Sequence, residues 1–214
     1  MNKKEMTVHA ALAELKVLND RIEEKIRRTP LISANKASNT IINGIPIEDF
    51  KKNNGSDLKS IYDLIAYRKA IKKAVTKSNA VTTVQIAGET YTVAEAIWMK
   101  NDGLGFDMQL LSKLSNGYDI AIRTCNSENE YVEDKARKYA EEMFPPNAAD
   151  TKDREVKIAE AMETYRKQIS YSVVSGIDCL GEIKKLQDMI DKFTSEVDSA
   201  LSVSNATTTI TIEW

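Results

Sequence analysis

The residues best suited to chemistry are hydroxyls, amides and one basic pair gathered where helical patterns end. Ser78-Asn79-Ala80-Val81-Thr82-Thr83-Val84-Gln85-Ile86 nearly repeats in Ser204-Asn205-Ala206-Thr207-Thr208-Thr209-Ile210-Thr211-Ile212. Asn79, Thr82 and Thr83 in the first copy, with Asn205 and Thr207 in the second, can donate to or accept from a polar ligand. Arg68 and Lys72 fall on or beside the apolar stripe of the helical pattern before the first copy. Arginine forks pair with phosphate oxygens, and Tyr67, Tyr91 and Trp98 are near enough in sequence to stack on a base. The candidate ligand-binding set is therefore Arg68, Lys72, Asn79, Thr82, Thr83, Tyr91, Asn205 and Thr207, and the ligand it suits is a phosphate-bearing nucleotide. A local use stands beside this. Ser, Thr and Asn bond their own backbone at helix ends, and long basic side chains bury their stems while their charge stays in water.

Catalytic signals are thin. His9 is the single histidine, which argues against histidine-based acid–base work and histidine-rich metal sites. Cys125 and Cys179 have no Cys or His at ligand spacing, so they read as free thiols of a reducing compartment. Gly103-Leu104-Gly105 lacks the third glycine and the preceding strand of a dinucleotide loop. Acids such as Glu24 sit four residues from a basic partner, here Arg28, as on a solvated helix face. The expectation is a non-enzyme with no metal and no cofactor.

The elements that must position the polar residues are mostly helices. Val8, Leu12, Leu15, Leu18, Ile22 and Ile26 form one stripe of a helix over about 7–28, stopped by Pro30. Asn43-Gly44 between isoleucines predicts a hairpin with a short, Pro46-limited second arm. Asn53-Asn54-Gly55 reads as a loop, and a second helix as 56–77 with Leu58, Ile61, Leu64, Ile65, Ile71 and Val75 inward. A β-hairpin around 83–92 turns at Ala87-Gly88. Thr92-Val93-Ala94-Glu95 is a capping box that starts a third helix, segmented by Gly103, Gly105 and Gly117 and ended by Pro145-Pro146. Asp150, Asp153 and Glu155 place acid at the start of a fourth helix. From Met162 to Val197 apolar or small residues recur at three and four, a coiled-coil seam; 151–201 as one helix would span roughly 75 Å at ~1.5 Å per residue. Ser172, Gly176 and Cys179 are small where a seam carries Leu, which reads as a tight crossing or the wall of a pocket between helices.

The fold expected is mainly α: one elongated domain over 1–214, a long antiparallel helical bundle or coiled coil with a small antiparallel β-sheet at one end. A C-terminal strand over 207–213 would join the 83–92 hairpin, with Ile210 and Ile212 facing the core beside Val84 and Ile86. A net charge of −2 gives no field to draw nucleic acid or an acidic membrane. Glu5, His9, Glu14 and Lys16 interrupt any apolar export region, and no apolar run approaches a membrane span. The location expected is the cytoplasm, and the partner a second copy of the chain through the seam.

The segment from Tyr62 to Met99 resembles the septicolysin-like family of long-helix bacterial and phage proteins. The likeness rests on Ser78-Asn79-Ala80-Val81-Thr82 through Ile86, then Gly88, Tyr91-Thr92 and Ala94-Glu95-Ala96-Ile97. The Asn43-Gly44 hairpin and the Thr-rich last strand depart from it. The chain also resembles, in overall style, small phage proteins that act as oligomeric sponges for nucleotide immune signals, such as ADP-ribose-derived messengers. The function expected from this likeness is an anti-defence sponge that binds and sequesters a small nucleotide-derived signal. A structural or assembly coiled-coil protein of a phage virion is the alternative.

Overall fold

The computed structural model describes residues 2–145 and 151–214. The protein is mainly helical with small antiparallel sheets. Pro146 and Asp150, expected as a helix stop and a helix-start acid, lie outside the described residues. The chain divides into two compact units, Met1–Gly103 with Lys192–Trp214, and Leu104–Asp191.

The first unit holds β1 (Lys3–Thr7), α1 (Val8–Arg28), β2 (Ile41–Ile42), β3 (Ile45–Pro46), α2 (Ile47–Asn79), β4 (Thr83–Ile86), β5 (Glu89–Thr92) and α3 (Val93–Trp98). A π-helical turn, Met99–Gly103, follows, and the end of α7 (Cys179–Thr207) and β6 (Thr209–Glu213) complete it. Asn43 and Gly44 both have positive φ, as do Ala87 and Gly88, so each dipeptide makes the tight turn its hairpin needs. Helix α2 begins at Ile47, ahead of the expected 56, and absorbs Asn53-Asn54-Gly55. Glu48 and Asp49 suit its first turn, Phe50 is buried, and Asn54 donates to the Leu31 carbonyl at 2.9 Å instead of competing for its own backbone.

The C-terminal strand does not join the 83–92 hairpin. β6 pairs antiparallel with β1, and β4 with β5. The reason is a second, shorter repeat: Thr7-Val8-His9-Ala10-Ala11 matches Thr92-Val93-Ala94-Glu95-Ala96. Each Ser-Asn strand therefore has its own Thr-Val partner, and the unit is an internal duplication of one helix–strand, strand–helix motif.

The two copies agree bond by bond. Val8 N–H donates to the Thr208 carbonyl at 2.9 Å and Val93 N–H to the Thr82 carbonyl at 2.8 Å. Thr208 N–H donates to the Ser204 carbonyl and Thr82 N–H to the Ser78 carbonyl. Thr7 and Thr92 each accept from the amide three residues on, and Thr92 forms the full capping box with Glu95. Burial follows the same correspondence, Ile212 with Ile86, Ile210 with Val84, Val8 with Val93, Ala11 with Ala96 and Val197 with Ile71. Tyr67 of α2 and Phe193 of α7 also correspond, each meeting a ring at a different place on the strands it covers. Tyr67 of α2 lies 4.2 Å from Trp214 beyond β6, and Phe193 of α7 lies 5.6 Å from Tyr91 of β5. Each helix thus covers the strands of the other copy.

The core of this unit is Val8, Ala11, Leu15, Leu18, Ile71, Val75, Ile210 and Ile212. Leu12, Ile26 and Leu58, expected inward, are 41%, 50% and 39% exposed. The apolar stripe is narrower than the sequence pattern because Ala11 takes the innermost place on α1. At its edge Glu14 accepts from Lys4 at 2.9 Å and Tyr67 Oη at 2.8 Å, tying β1, α1 and α2 together. Burial pushes the Glu14 carboxyl up, but the hydrogen bonds from Lys4 and Tyr67 outweigh it and hold the group below its ordinary value of 4.5. A carboxyl lowered on folding contributes stability above its unfolded pKa and loses it as pH falls through the folded one. Acid titration of the melting temperature should therefore fall less steeply below pH 4.5 in Glu14→Gln than in the native chain. Parallel curves would contradict this.

The second unit contains α4 (Gly105–Asn129), α5 (Val132–Met143), α6 (Thr151–Ile169) and the start of α7. Helix α5 ends at Met143, before Pro145, and Gly117 leaves α4 unbroken. The expected 151–201 rod is two helices separated by residues 170–178. Serines and β-branched valines in Ser170-Tyr171-Ser172-Val173-Val174-Ser175-Gly176 are poor helix formers. Asn129 fixes the break, donating to the Tyr171 carbonyl at 2.9 Å and accepting from its N–H at 2.8 Å. Asp178 then restarts the helix by accepting from Gly181 N–H. Gly176 has nothing within 4 Å of where a side chain would begin, so it marks no tight crossing. With the rod goes the sustained seam on which a coiled-coil assembly rested.

Candidate functional site

The two Ser-Asn segments meet, although their strands lie in different sheets. Thr82, Thr83 and Gln85 from β4 and the step before it share a groove of about 380 Å³ with Ser204, Thr207 and Thr208 at the end of α7. All of residues 82–85 line it, which places it along the edge of β4, since side chains alone would alternate away. Thr82, Val84 and Ile86 face the β5 side through the Thr82–Val93, Val84–Tyr91 and Ile86–Glu89 pairs. The N–H and C=O groups of Thr83 and Gln85 therefore point to the outer edge. Ala200, Val203 and Val84 supply the apolar part of the lining.

The groove offers donors as well as acceptors, since the outward N–H groups of Thr83 and Gln85 donate where their carbonyls accept. Thr207 Oγ1 donates to the Val203 carbonyl at 2.9 Å, so its lone pairs are what it offers outward. Gln85 Nε2 donates to Thr90 Oγ1 at 2.6 Å, which leaves its second N–H and the amide oxygen. Of the last carbonyls of α7, Val203 accepts from Thr207 Oγ1 and Ser204 from Thr208 N–H, and just beyond the helix Thr208 accepts from Val8 N–H. Among the described residues no charged side chain lines it. Such a place, polar and without a charge among its described lining residues, suits a neutral polar group that both donates and accepts.

Of the expected ligand-binding residues, Thr82, Thr83 and Thr207 come together here. The local reading holds for part of the set as well, with Ser78 Oγ 3.3 Å from Thr82 Oγ1. Asn79 and Asn205 are half-buried beside the groove in sequence and do not line it. Arg68 belongs to a different hollow, with Asn19, Ile22, Glu23 and Ile65. There its Nε donates to Asn19 Oδ1 at 2.5 Å, and the Glu23 carboxylate opposes a phosphate. Lys72 is exposed on α2. Tyr91 packs against the edge of Phe193 and donates its hydroxyl to Glu89 at 2.7 Å, a bond that, with burial, raises its pKa. The phosphate-and-stacking arrangement expected from Arg68, Lys72 and Tyr91 is not assembled. Arg68 is a helical stretch away from Thr82, and the apolar stripe of α2 turns toward β6 and α1.

Gln85, Ser204 and Thr208 lie inside the quoted repeat but outside the expected set. The signal that finds them is the correspondence itself, since a groove between two copies draws the same step from each. Among the described residues no group of three or more His, Cys, Asp or Glu could hold a metal ion. Among them too, no helix is long and apolar enough to cross a membrane. No family model, curated protein or solved structure matches the chain.

Proposed function

We propose that the protein is a non-catalytic binding protein that captures a small nucleotide-derived signal by its neutral sugar-and-base portion in the groove between β4 and α7. The observation behind this reading is the open polar groove at the edge of β4. Where α2 meets β6, Ile71 and Val75 pack with Ile210 and Ile212 into a closed core. Val197, Val84 and Ile86 are buried in the same way in the other copy. Beyond them, toward the end of α7, Ala200, Val203 and Thr207 face β4 across open space. Ribose hydroxyls and the amines and ring nitrogens of a base both donate and accept, as the groove does, and phosphates extend to solvent. Sequestration, in the sense of an anti-defence sponge, is the use that a binder without catalytic groups would have.

The test is retention of adenosine and adenosine monophosphate by the native chain and by Thr82→Val with Thr207→Val. Each lost hydrogen bond is worth about 0.5–1.5 kcal/mol, so the double variant should bind both ligands about ten-fold more weakly. Unchanged affinity would place the site elsewhere, and conversion of the ligand to product would make the protein an enzyme.

A homo-oligomer is part of this reading. Helix α4 has no buried residue, and Phe106, Met108, Leu110 and Ile120 are 83%, 47%, 50% and 61% exposed. An amphipathic helix left uncovered is an assembly face more often than a solvated one. Light scattering at micromolar concentration should give a multiple of the 24.0 kDa chain mass. A monomer would contradict it.

A further inference from the structure

The second unit holds a hollow unrelated to the groove. Tyr139 of α5 and Tyr165 of α6 stack with ring centroids 4.1 Å apart and planes within 10°. With Met143, Phe144 and Glu160 they line a space of about 280 Å³ between the two helices. Its walls are set by other bonds. Arg166 forks onto Glu133 at 2.9 and 3.0 Å, and Arg154 Nε donates to the Phe144 carbonyl at 2.8 Å. The rings are therefore held before any ligand arrives.

The charges around the hollow leave one of them without a counter-ion. Lys157, which also lines it, pairs with Asp153 at 2.9 Å, and Glu163 pairs with Lys167 at 2.7 Å. Among the described residues, Glu160 is the lining carboxylate with no such ion pair. Aromatic faces carry negative charge density, and a carboxylate beside them adds to it. An anion or a purely apolar ligand gains nothing from that combination, whereas a poorly hydrated organic cation gains from both.

We propose that this hollow is a binding site for an alkylammonium group, with Tyr139, Phe144 and Tyr165 as the aromatic wall and Glu160 as the counter-charge. The size is right for a single headgroup, near the lower end of small-ligand sites of about 300–1,000 Å³. The thioether of Met143 gives the flexible side of the wall.

Choline and its uncharged isostere 3,3-dimethylbutanol separate this proposal from a plain apolar hollow. In ligand-observed NMR titrations of the full chain, the choline methyl protons should move upfield as they meet the ring faces. The isostere should bind about ten-fold more weakly, since it keeps the shape and loses the cation–π and carboxylate attraction. Glu160→Gln, an exposed position whose replacement spares the fold, should weaken choline and leave the isostere unchanged. Tyr165→Leu should abolish the upfield shift. Equal binding of the two probes, no binding of choline, or a Glu160→Gln variant with native choline affinity would each overturn the proposal.

Discussion

Ile212→Ala should cost about 2–5 kcal/mol of stability in urea denaturation, and Ile86→Ala the same within error. Both side chains are 0% exposed, and both sit at the same place in their copies. Removing either leaves a void that close-packed neighbours fill poorly. Ile212 is third from the C-terminus, where a frayed tail would lose almost nothing on truncation. What makes the difference is β1. The ladder runs from Thr7–Thr209 to Lys3–Glu213, and Asn2 and Trp214 exchange both backbone hydrogen bonds beyond it. A change under 1 kcal/mol for Ile212→Ala would mean that β6 is a tail and the duplication is one of sequence alone.

Ala96→Leu and Ala11→Leu should each destabilise by about 1–3 kcal/mol through overpacking. Alanine at these positions is 0% exposed, one turn after a Thr-Val step whose valine is 2% exposed. Full burial of so small a side chain leaves no room for a larger one. Elsewhere on an exposed helix face the same change would gain a little helix propensity, leucine being nearly as good as alanine. A neutral outcome at either position would show that the two helix starts are not packed alike.

Much of the fold was legible. The apolar periodicity of α1, the Asn43-Gly44 turn and the Thr92–Glu95 capping box are local signals, and the structure forms each of them. The early start of α2 was not, because Asn54 turns its side chain to Leu31, a partner that no local rule names. The 170–178 break was hidden by a seam of regular spacing. Spacing counts apolar positions, while Asn129, distant in sequence, decides whether the backbone there stays helical. The pairing of β6 with β1 is hidden for a related reason: the Ser-Asn repeat stands out in the sequence, while the shorter Thr-Val repeat that pairs with it looks like any helix start. In the site, hydroxyls were legible and charges were not. Thr82, Thr83 and Thr207 converge on one groove, but Arg68 is committed to Asn19, a choice made by the packing of α1 on α2.

The most direct test of the groove is a backbone-amide NMR titration of the full chain with adenosine and then with adenosine monophosphate. The account predicts that both ligands shift the amides of residues 82–85 and 200–208, with similar affinity, because Gln85, Thr207 and the outer edge of β4 hold the sugar and base while the phosphate meets solvent. Shifts confined to the monophosphate, or centred on Arg68 and Lys72, would contradict it.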